Sequence, residues 1–185
     1  HTANRRQRQM CIRDRLGGAT ALLPVFAKDI LDVGPEGLGF LRASPAVGAL
    51  ICALLMTKWP IEEKVGEKLF FSVAIFGIAM MVFGLSTNFF LSIIALIVSG
   101  AADSLSVVIR MTLIQLDTPN HMGGRVSSVN AIFIGASNEL GEFESGVTAS
   151  FFGPVNSILI GSIGTVVIVL AWAKFFPSLL KRSKL

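Results

Sequence analysis

The sequence predicts an all-α fold, a polytopic bundle of membrane-spanning helices, and three observations predict it. Hydrophobic residues make up 52 % of the 185 residues and charged residues only 15 %, with a mean hydropathy of +0.70. In a typical soluble domain, about 25 % of the residues are charged. The apolar residues come in blocks of about 20, the length that crosses a hydrocarbon core about 30 Å thick. Two of the blocks also hold charged residues near their middles.

Polar turns divide the chain into one partial span and five complete ones. Gly34-Pro35, Thr87-Asn88 and Gly153-Pro154 are typical of turns between apolar blocks. Residues 16–27 are apolar but about half the length of a span, so we interpret them as the end of a truncated helix. The predicted complete spans are 38–59, 69–86, 88–117, 122–152 and 155–173.

Residues 1–15 differ from residues 16–185, which form the predicted helical domain. The first segment is polar, holds five arginines and stops abruptly at Leu16. A signal peptide is not expected, because no small-residue cleavage site follows an apolar region there. We interpret the segment as unstructured or non-native basic sequence, and the alternative is a basic cytoplasmic arm.

The cations predict how the bundle lies in the membrane. Loops 58–68 and 118–125 and the C-terminal tail alternate along the chain with connections 28–37, 86–88 and 153–156. The second group holds only Lys28 as a cation, whereas the first group holds Lys58, Lys64, Lys68, Arg125, Lys174, Lys181, Arg182 and Lys184. Because cytoplasmic loops carry the excess of Lys and Arg, the C-terminus is predicted to be cytoplasmic.

The third span carries a single polar stripe. At 100° per residue its polar residues fall within an arc of about 60°, and they are Ser92, Ser99, Asp103, Ser106, Arg110 and Asp117. Polar groups at bilayer depth face protein or water rather than lipid, and ionisable ones often mark an ion or substrate pathway. Asp103 and Arg110 are therefore candidate pathway or proton-coupling residues, and Arg110 is expected to pair with a carboxylate.

The fourth span carries a matching stripe within about 120°, formed by Ser127, Asn130, Asn138, Gly141, Glu142 and Ser145. Glu139 and Glu144 flank it on opposite sides. The short connection predicts that the third and fourth spans are antiparallel neighbours, with Asp103 and Asn138 at similar depth near the midplane. Asn138, Glu139 and Glu142 join the candidate pathway residues.

Some of these polar and small residues have a purely structural interpretation. We expect polar side chains within the spans to bridge helices through hydrogen bonds, namely those of Ser92, Ser99, Asn130 and Ser145. We also expect the glycines within the spans to be close-packing positions, namely Gly48, Gly100, Gly135, Gly141, Gly161 and Gly164.

The residues do not predict an enzyme, a cofactor or a metal site. We find no His/Cys/carboxylate cluster at metal-ligand spacing, no phosphate-binding Gly-x-x-x-x-Gly-Lys and no Gly-x-Ser-x-Gly. Glu139 and Glu142 at i, i+3 leave an intramembrane enzyme as a weak alternative. The net charge of +4 does not indicate nucleic-acid binding, because the cations cluster at helix ends and termini.

Four segments together resemble a known family. They are Ser99-Gly100-Ala101-Ala102-Asp103, Val108-Ile109-Arg110 with Gln115-Leu116, Gly124-Arg125-Val126-Ser127, and the run from Gly135 to Phe143. They resemble the C-terminal half of major facilitator superfamily transporters, and most closely the bacterial transmembrane secretion effector branch, which includes the enterobactin exporter and macrolide-efflux-like proteins. The resemblance covers residues 16–185.

The resemblance implies a twelve-helix fold in two six-helix halves, with substrate between the halves and alternating access by rocking. This chain would be helices seven, in part, to twelve, and its partners would be the N-terminal six-helix half, the lipid bilayer and a small-molecule substrate. The superfamily's cytoplasmic loop motif is reduced here to Lys64-Val65-Gly66-Glu67-Lys68. Lys64, Gly66, Lys68 and Arg125 are the loop or gating candidates.

The resemblance therefore implies a bacterial inner-membrane secondary transporter that exports a small organic molecule of the drug or siderophore type. Proton coupling would use a membrane carboxylate that is protonated in one state and ionised in the other. The alternatives are a non-transporting, partner-binding membrane subunit and a non-functional fragment.

Overall fold

The computed structural model describes residues 21–58, 65–117 and 123–175. Helices and turns account for this part of the chain, and it contains no strand. The helices are α1 Leu23–Asp29, α2 Pro35–Lys58, α3 Val65–Leu85, α4 Phe89–Asp117, α5 Gly123–Phe152 and α6 Pro154–Phe175. The predicted all-α bundle is confirmed. The predicted basic segment 1–15 lies outside the described residues.

The helix boundaries follow from local chemistry. Pro35 and Pro154 stand at the first position of α2 and α6, where a missing N–H is harmless and the fixed φ suits a helix. Gly153 ends α5 with φ +85°, a conformation that favours glycine, and its N–H donates to the Ala149 carbonyl at 2.9 Å. This turn sends α6 back along α5.

The helices pack in the order α1, α2, α4, α3, α6, α5. The most extensive packing joins α4 to both α2 and α3, and α3 also packs along α6. Helix α5 packs mainly on α6, where the Ser157 hydroxyl donates to the Ser145 carbonyl at 3.0 Å. Helix α4 is therefore at the centre of the bundle, and α2 and α5 are at its edges.

Backbone-to-backbone contact joins α2 and α4. A Cβ built on Gly48 would lie 2.8 Å from the Ile97 carbonyl carbon, and one on Gly100 would lie 2.6 Å from the Pro45 carbonyl carbon. The predicted close packing is confirmed at both positions. It is wrong for Gly135, where a Cβ would meet nothing within 4 Å, because α5 turns that side away from the bundle.

The apolar core lies toward the α3–α4 end of the bundle, which carries residues 86–88. Phe26 of α1 and Phe83 of α3 are fully buried there, with ring centroids 4.8 Å apart. Leu41, Leu96 and Ile158 join the same cluster from α2, α4 and α6. The short α1 is thereby held against four longer helices.

Three described segments are long and apolar enough to cross a membrane, namely Pro35–Lys58, Lys68–Leu85 and Phe89–Thr112. They correspond to the first three predicted complete spans. Helix α5 has the length, but Asn138, Glu139, Glu142 and Glu144 make it more polar than these three. Within the described side chains, α6 has a shorter apolar stretch, Pro154–Val167.

We expect Asn88→Ala to destabilise the bundle by about 1 kcal/mol, because Asn88 caps α4. Its Oδ1 accepts hydrogen bonds from the N–H groups of Phe90 at 3.0 Å and Leu91 at 3.4 Å. The measurement is unfolding of the purified chain in mixed detergent micelles, with Thr87→Ala in the same exposed turn as the control. Equal stability of the two variants would show that the cap contributes nothing.

Candidate functional site

The serines of the α4 stripe are buried inside the bundle. Ser92 and Ser106 are fully buried and Ser99 is nearly so. The Ser99 hydroxyl donates to the Leu96 carbonyl and the Ser106 hydroxyl to the Asp103 carbonyl, both at 2.8 Å. The expectation that such serines bridge helices is therefore wrong for Ser99, which bonds to its own helix, as Ser106 does. Ser92 donates to the Ser86 hydroxyl at 3.1 Å, in the adjoining turn.

Asp103 and Arg110, which belong to the same stripe, are half-buried. The Arg110 Nε donates to the Ser106 carbonyl at 3.1 Å. A charge-assisted bond of this kind holds the guanidinium along α4 and satisfies one of its five donors. The two ionisable groups of α4 are thus packed against protein on one side and accessible on the other.

Helix α5 has three distinct faces. Asn130, Ser137 and Gly141 are buried and turn toward the bundle. About 100° of the surface is bulky, apolar and exposed, with Ile132 at 70 % and Phe143 at 71 % exposure. Between these two lies a third face, also exposed, whose residues are small or polar.

We call this third face the open face of α5. It spans about 100° and consists of Ser128, Ala131, Gly135, Asn138, Glu139, Glu142 and Gly146, all exposed. A Cβ built on Gly135 or Gly146 would meet nothing within 4 Å. The open face therefore combines two carboxylates and an amide with room for another molecule.

The predicted stripe of α5 is divided between two environments. Asn130 and Gly141 are buried, whereas Asn138 and Glu142 are exposed on the open face. The helical period places these residues on adjacent faces, and a neighbouring helix covers only one of them. Glu144 is exposed about 160° around the helix from Glu142, away from the open face.

Helices α4 and α5 are less closely associated than their short connection predicts. The extensive partner of α5 is α6 rather than α4. The two helices meet where the Asn130 Nδ2 donates to the Met111 sulfur at 3.5 Å, near the α4–α5 connection. A contact near the connection does not bring Asp103 and Asn138 together. The polar stripes of α4 and α5 therefore do not form one continuous packed interface.

The loop candidates are only partly within the described residues. Gly66 is buried in the first turn of α3 and Lys68 is exposed. Lys64 and the side chain of Arg125 lie outside what the structure describes. The described side chains also contain no group of three or more His, Cys, Asp or Glu residues placed to hold a metal ion.

Arg42 is a charged residue that the sequence prediction missed. It is exposed on α2, inside the membrane-length segment Pro35–Lys58. The sequence did contain a signal for Arg42, namely a single cation inside an apolar block. The apolar residues on both sides make that cation easy to overlook. Arg42 is therefore, like Asp103, Arg110, Glu139 and Glu142, an ionisable group inside a helix of membrane-spanning length.

A family model described as a transmembrane secretion effector matches residues 16–182. No curated protein matches the chain.

Proposed function

Because the chain belongs to the transmembrane secretion effector family, we propose that it forms part of a secondary transporter that exports a small organic molecule by alternating access. The family is one of major facilitator transporters, so the chain is a multi-pass membrane protein and its substrate class is small molecules. The observation that carries the proposal is the open face of α5.

Lipid is a poor partner for the open face. A charged side chain at the centre of a membrane helix costs about 2.5–3.5 kcal/mol on insertion scales. Glu139 and Glu142 both lie on this face, whereas the adjoining face of Ile132 and Phe143 suits lipid. Water or another polypeptide must therefore cover the open face, as expected for one wall of a substrate pathway.

A pathway between two walls needs a second helical half opposite α5. The resemblance assigns that place to an N-terminal six-helix half, and the proposed pathway needs such a half whichever chain supplies it. Rocking of the two halves about the substrate would expose the open face to each side of the membrane in turn.

Proton coupling is assigned to the carboxylates of this pathway. Glu139 and Glu142 are exposed on the open face, so water can reach them when the pathway opens. A carboxyl group that loses contact with water favours its neutral form, and it releases the proton when water returns. Asp103, half-buried on α4, is a further candidate.

The proposed location is the bacterial inner membrane, with the C-terminus in the cytoplasm. The cations of loops 58–68 and 118–125 support this orientation through the positive-inside rule. With it, the α3–α4 end of the bundle faces outward. Drugs and siderophores are the proposed substrate types.

Flux through proteoliposomes tests the proposal on a protein that contains both halves. We expect a proton gradient to drive substrate movement, and we expect Glu139→Gln or Glu142→Gln to lower the driven flux by about tenfold or more. Glu144→Gln is the matched control, because Glu144 lies off the open face.

Two results would count against the proposal. Flux that is independent of the gradient would remove proton coupling, and normal flux in both glutamine variants would remove the assignment of these residues.

The buried serines of α4 are also compatible with the second candidate function, a partner-binding membrane subunit. This candidate predicts that the open face packs against protein and excludes water.

A further inference from the structure

Arg42 is an exposed cation inside the membrane-length segment of α2, and there is space beside it. The exposed residues Gly39 and Ala46 lie within about 60° of Arg42 around the helix. A Cβ built on Gly39 would meet nothing within 4 Å. Within residues 21–58, 65–117 and 123–175, no hydrogen bond or ion pair engages the Arg42 side chain. Its guanidinium can therefore donate to another molecule.

The backbone contact between α2 and α4 determines the side of the bundle on which Arg42 lies. Gly100 of α4 approaches the backbone of Pro45 on α2, and both helices begin at the α3–α4 end of the bundle, so they are parallel. Viewed from that end, Arg42 lies about 60° clockwise from this contact around α2, and Asp103 lies about 60° anticlockwise from it around α4. Arg42 and Asp103 are therefore on the same side of the α2–α4 pair.

The opposite side of the α2–α4 pair suits lipid. It carries bulky apolar side chains that are exposed, including Val47 and Leu54 on α2 and Ile94 and Val98 on α4. Polar groups at bilayer depth face protein or water, and apolar groups such as these face lipid. Contact with lipid therefore does not account for Arg42, which lies on the other side.

Arg42 shares its side with the helices of the proposed pathway. Leu96 is on the Asp103 side of α4 and belongs to the same buried cluster as Ile158 of α6. Helix α6 therefore lies on this side, and α5 packs on α6. The open face of α5 and the Arg42 side chain thus border the side of the bundle along which the proposed pathway runs.

Arg42 is nearer the α3–α4 end of the bundle than the carboxylates are. It is seven residues after the first residue of α2, whereas Glu142 and Glu139 are ten and thirteen residues before the last residue of α5. At about 1.5 Å per residue these distances are about 10, 15 and 20 Å. Measured from the contact of Pro45 with Gly100, Asp103 is about 9 Å deeper than Arg42. A group bound at Arg42 is therefore separated from the carboxylates.

The chemistry of the guanidinium indicates what it binds. It stays protonated in proteins, so Arg42 cannot serve as a proton carrier. Its constant charge and five donors match a carboxylate, sulfonate or phosphate, with charge-assisted bonds that can be bidentate. A cation at membrane depth is costly when it is not paired, and a bound anion reduces that cost.

We propose that Arg42 binds the anionic group of the exported molecule, so that the substrates are organic anions that carry a carboxylate, sulfonate or phosphate. The inference rests on the proposed function, because it takes the Arg42 side of α2 as part of the pathway wall. Arg42 is then a specificity-determining residue, and proton coupling stays with the carboxylates.

Thiol reagents of opposite charge test the anion site without the natural substrate. Ala46→Cys places a thiol one turn from Arg42, in the two-half transporter with Cys11 and Cys52 replaced by serine and alanine. Membranes are opened by freeze–thaw, and rates are measured at low salt with an anionic and a cationic methanethiosulfonate reagent. We expect Arg42→Gln to lower the anion-to-cation rate ratio by about fivefold or more, because one charge about 6 Å away changes the two rates in opposite directions.

Three controls separate the charge of Arg42 from its structural role. Arg42→Lys keeps the charge and should leave the ratio within about twofold of the wild-type value. Ala53→Cys is exposed about 16 Å farther along the helix, where Arg42→Gln should change the ratio by less than about twofold. Lys58→Gln removes an exposed cation at the other end of α2 and should have an equally small effect at Ala46→Cys. A single sharp elution peak in detergent checks the folding of every variant.

Flux of two dyes with the same ring system extends the test to transport. Carboxyfluorescein is an anion and rhodamine is a cation, and in proteoliposomes we expect carboxyfluorescein to move faster. Arg42→Gln should raise the KM for carboxyfluorescein by about tenfold with less than about twofold change in kcat, the pattern of a lost binding contact. Rhodamine flux should not fall in the same variant.

The two proposals fail in different ways. The anion site is overturned if Arg42→Gln leaves the reagent ratio unchanged, if rhodamine moves faster than carboxyfluorescein, or if neither reagent reacts at Ala46→Cys, which would show that protein covers this side. A ratio that follows the charge of residue 42, without flux of either dye, would support the anion site and count against the proposed function. Gradient-driven flux with an unchanged ratio would do the reverse.

Discussion

Gly100→Ala will separate α2 from α4 and destabilise the bundle by about 3 kcal/mol, the upper part of the usual range for overpacking. A methyl group at this position would lie 2.5 Å from the Pro45 Cα and 2.6 Å from the Pro45 carbonyl carbon. These are backbone atoms, so no side-chain rotation relieves the overlap. Gly48→Ala should act similarly from the other side, against Ile97 and Ala101.

Unfolding in mixed detergent micelles, followed by helical circular dichroism, measures this effect. Gly39→Ala is the control on α2, the helix that also carries Gly48, because a methyl group there meets nothing within 4 Å. It should leave stability unchanged or raise it by about 0.5–1 kcal/mol, the usual gain of alanine over glycine in a helix. Equal stability of the Gly39 and Gly100 variants would mean that α2 and α4 are not in backbone contact.

Cysteines on the open face of α5 will react with a membrane-impermeant thiol reagent at least about 100 times faster than cysteines in the α4 stripe. Asn138→Cys and Gly135→Cys place the thiol on an exposed surface, whereas Ser99→Cys and Ser106→Cys place it among buried residues. A buried thiol reacts only after local opening, and an opening free energy of about 3 kcal/mol already slows reaction by about 100-fold.

The measurement uses the two-half transporter in membranes, in a background in which Cys11 and Cys52 are replaced by serine and alanine. Phe143→Cys is a third comparison, since its side chain lies on the apolar, lipid-suited face of α5. Slow reaction at both open-face positions would favour the partner-binding alternative, because it would show that the face is packed dry. Fast reaction at Ser106 would contradict the buried stripe.

Much of the fold follows from local chemistry. The predicted spans 88–117 and 122–152 agree within one residue with α4 Phe89–Asp117 and α5 Gly123–Phe152. Apolar blocks and Gly, Pro and Asn turns determine these boundaries, because unsatisfied backbone groups are not tolerated in a membrane. The largest difference is at α3, which begins at Val65 rather than 69, since charged residues can continue a helix beyond the apolar block.

The candidate site was predictable only in part. Glu139 and Glu142 stand out in the sequence because charge is rare in a membrane span, and the structure leaves both exposed on one face. Arg42 was missed, although it is the same kind of signal. The serines of α4 shared the period of Asp103, yet their hydroxyl groups are buried and bonded within their own helix or the adjoining turn.

The sequence by itself determined the helical class, the number and approximate ends of the helices, and the face of each helix on which polar residues lie. These depend on composition and on a period of 3.6 residues, which are local properties. Only the tertiary structure decided that the serines of α4 are buried and that α5 packs on α6. It also decided that Gly135 has free space beside it, whereas Gly100 is closely packed. The helical period determines which residues share a face of a helix. Which neighbouring helix covers that face depends on packing among helices distant in the chain.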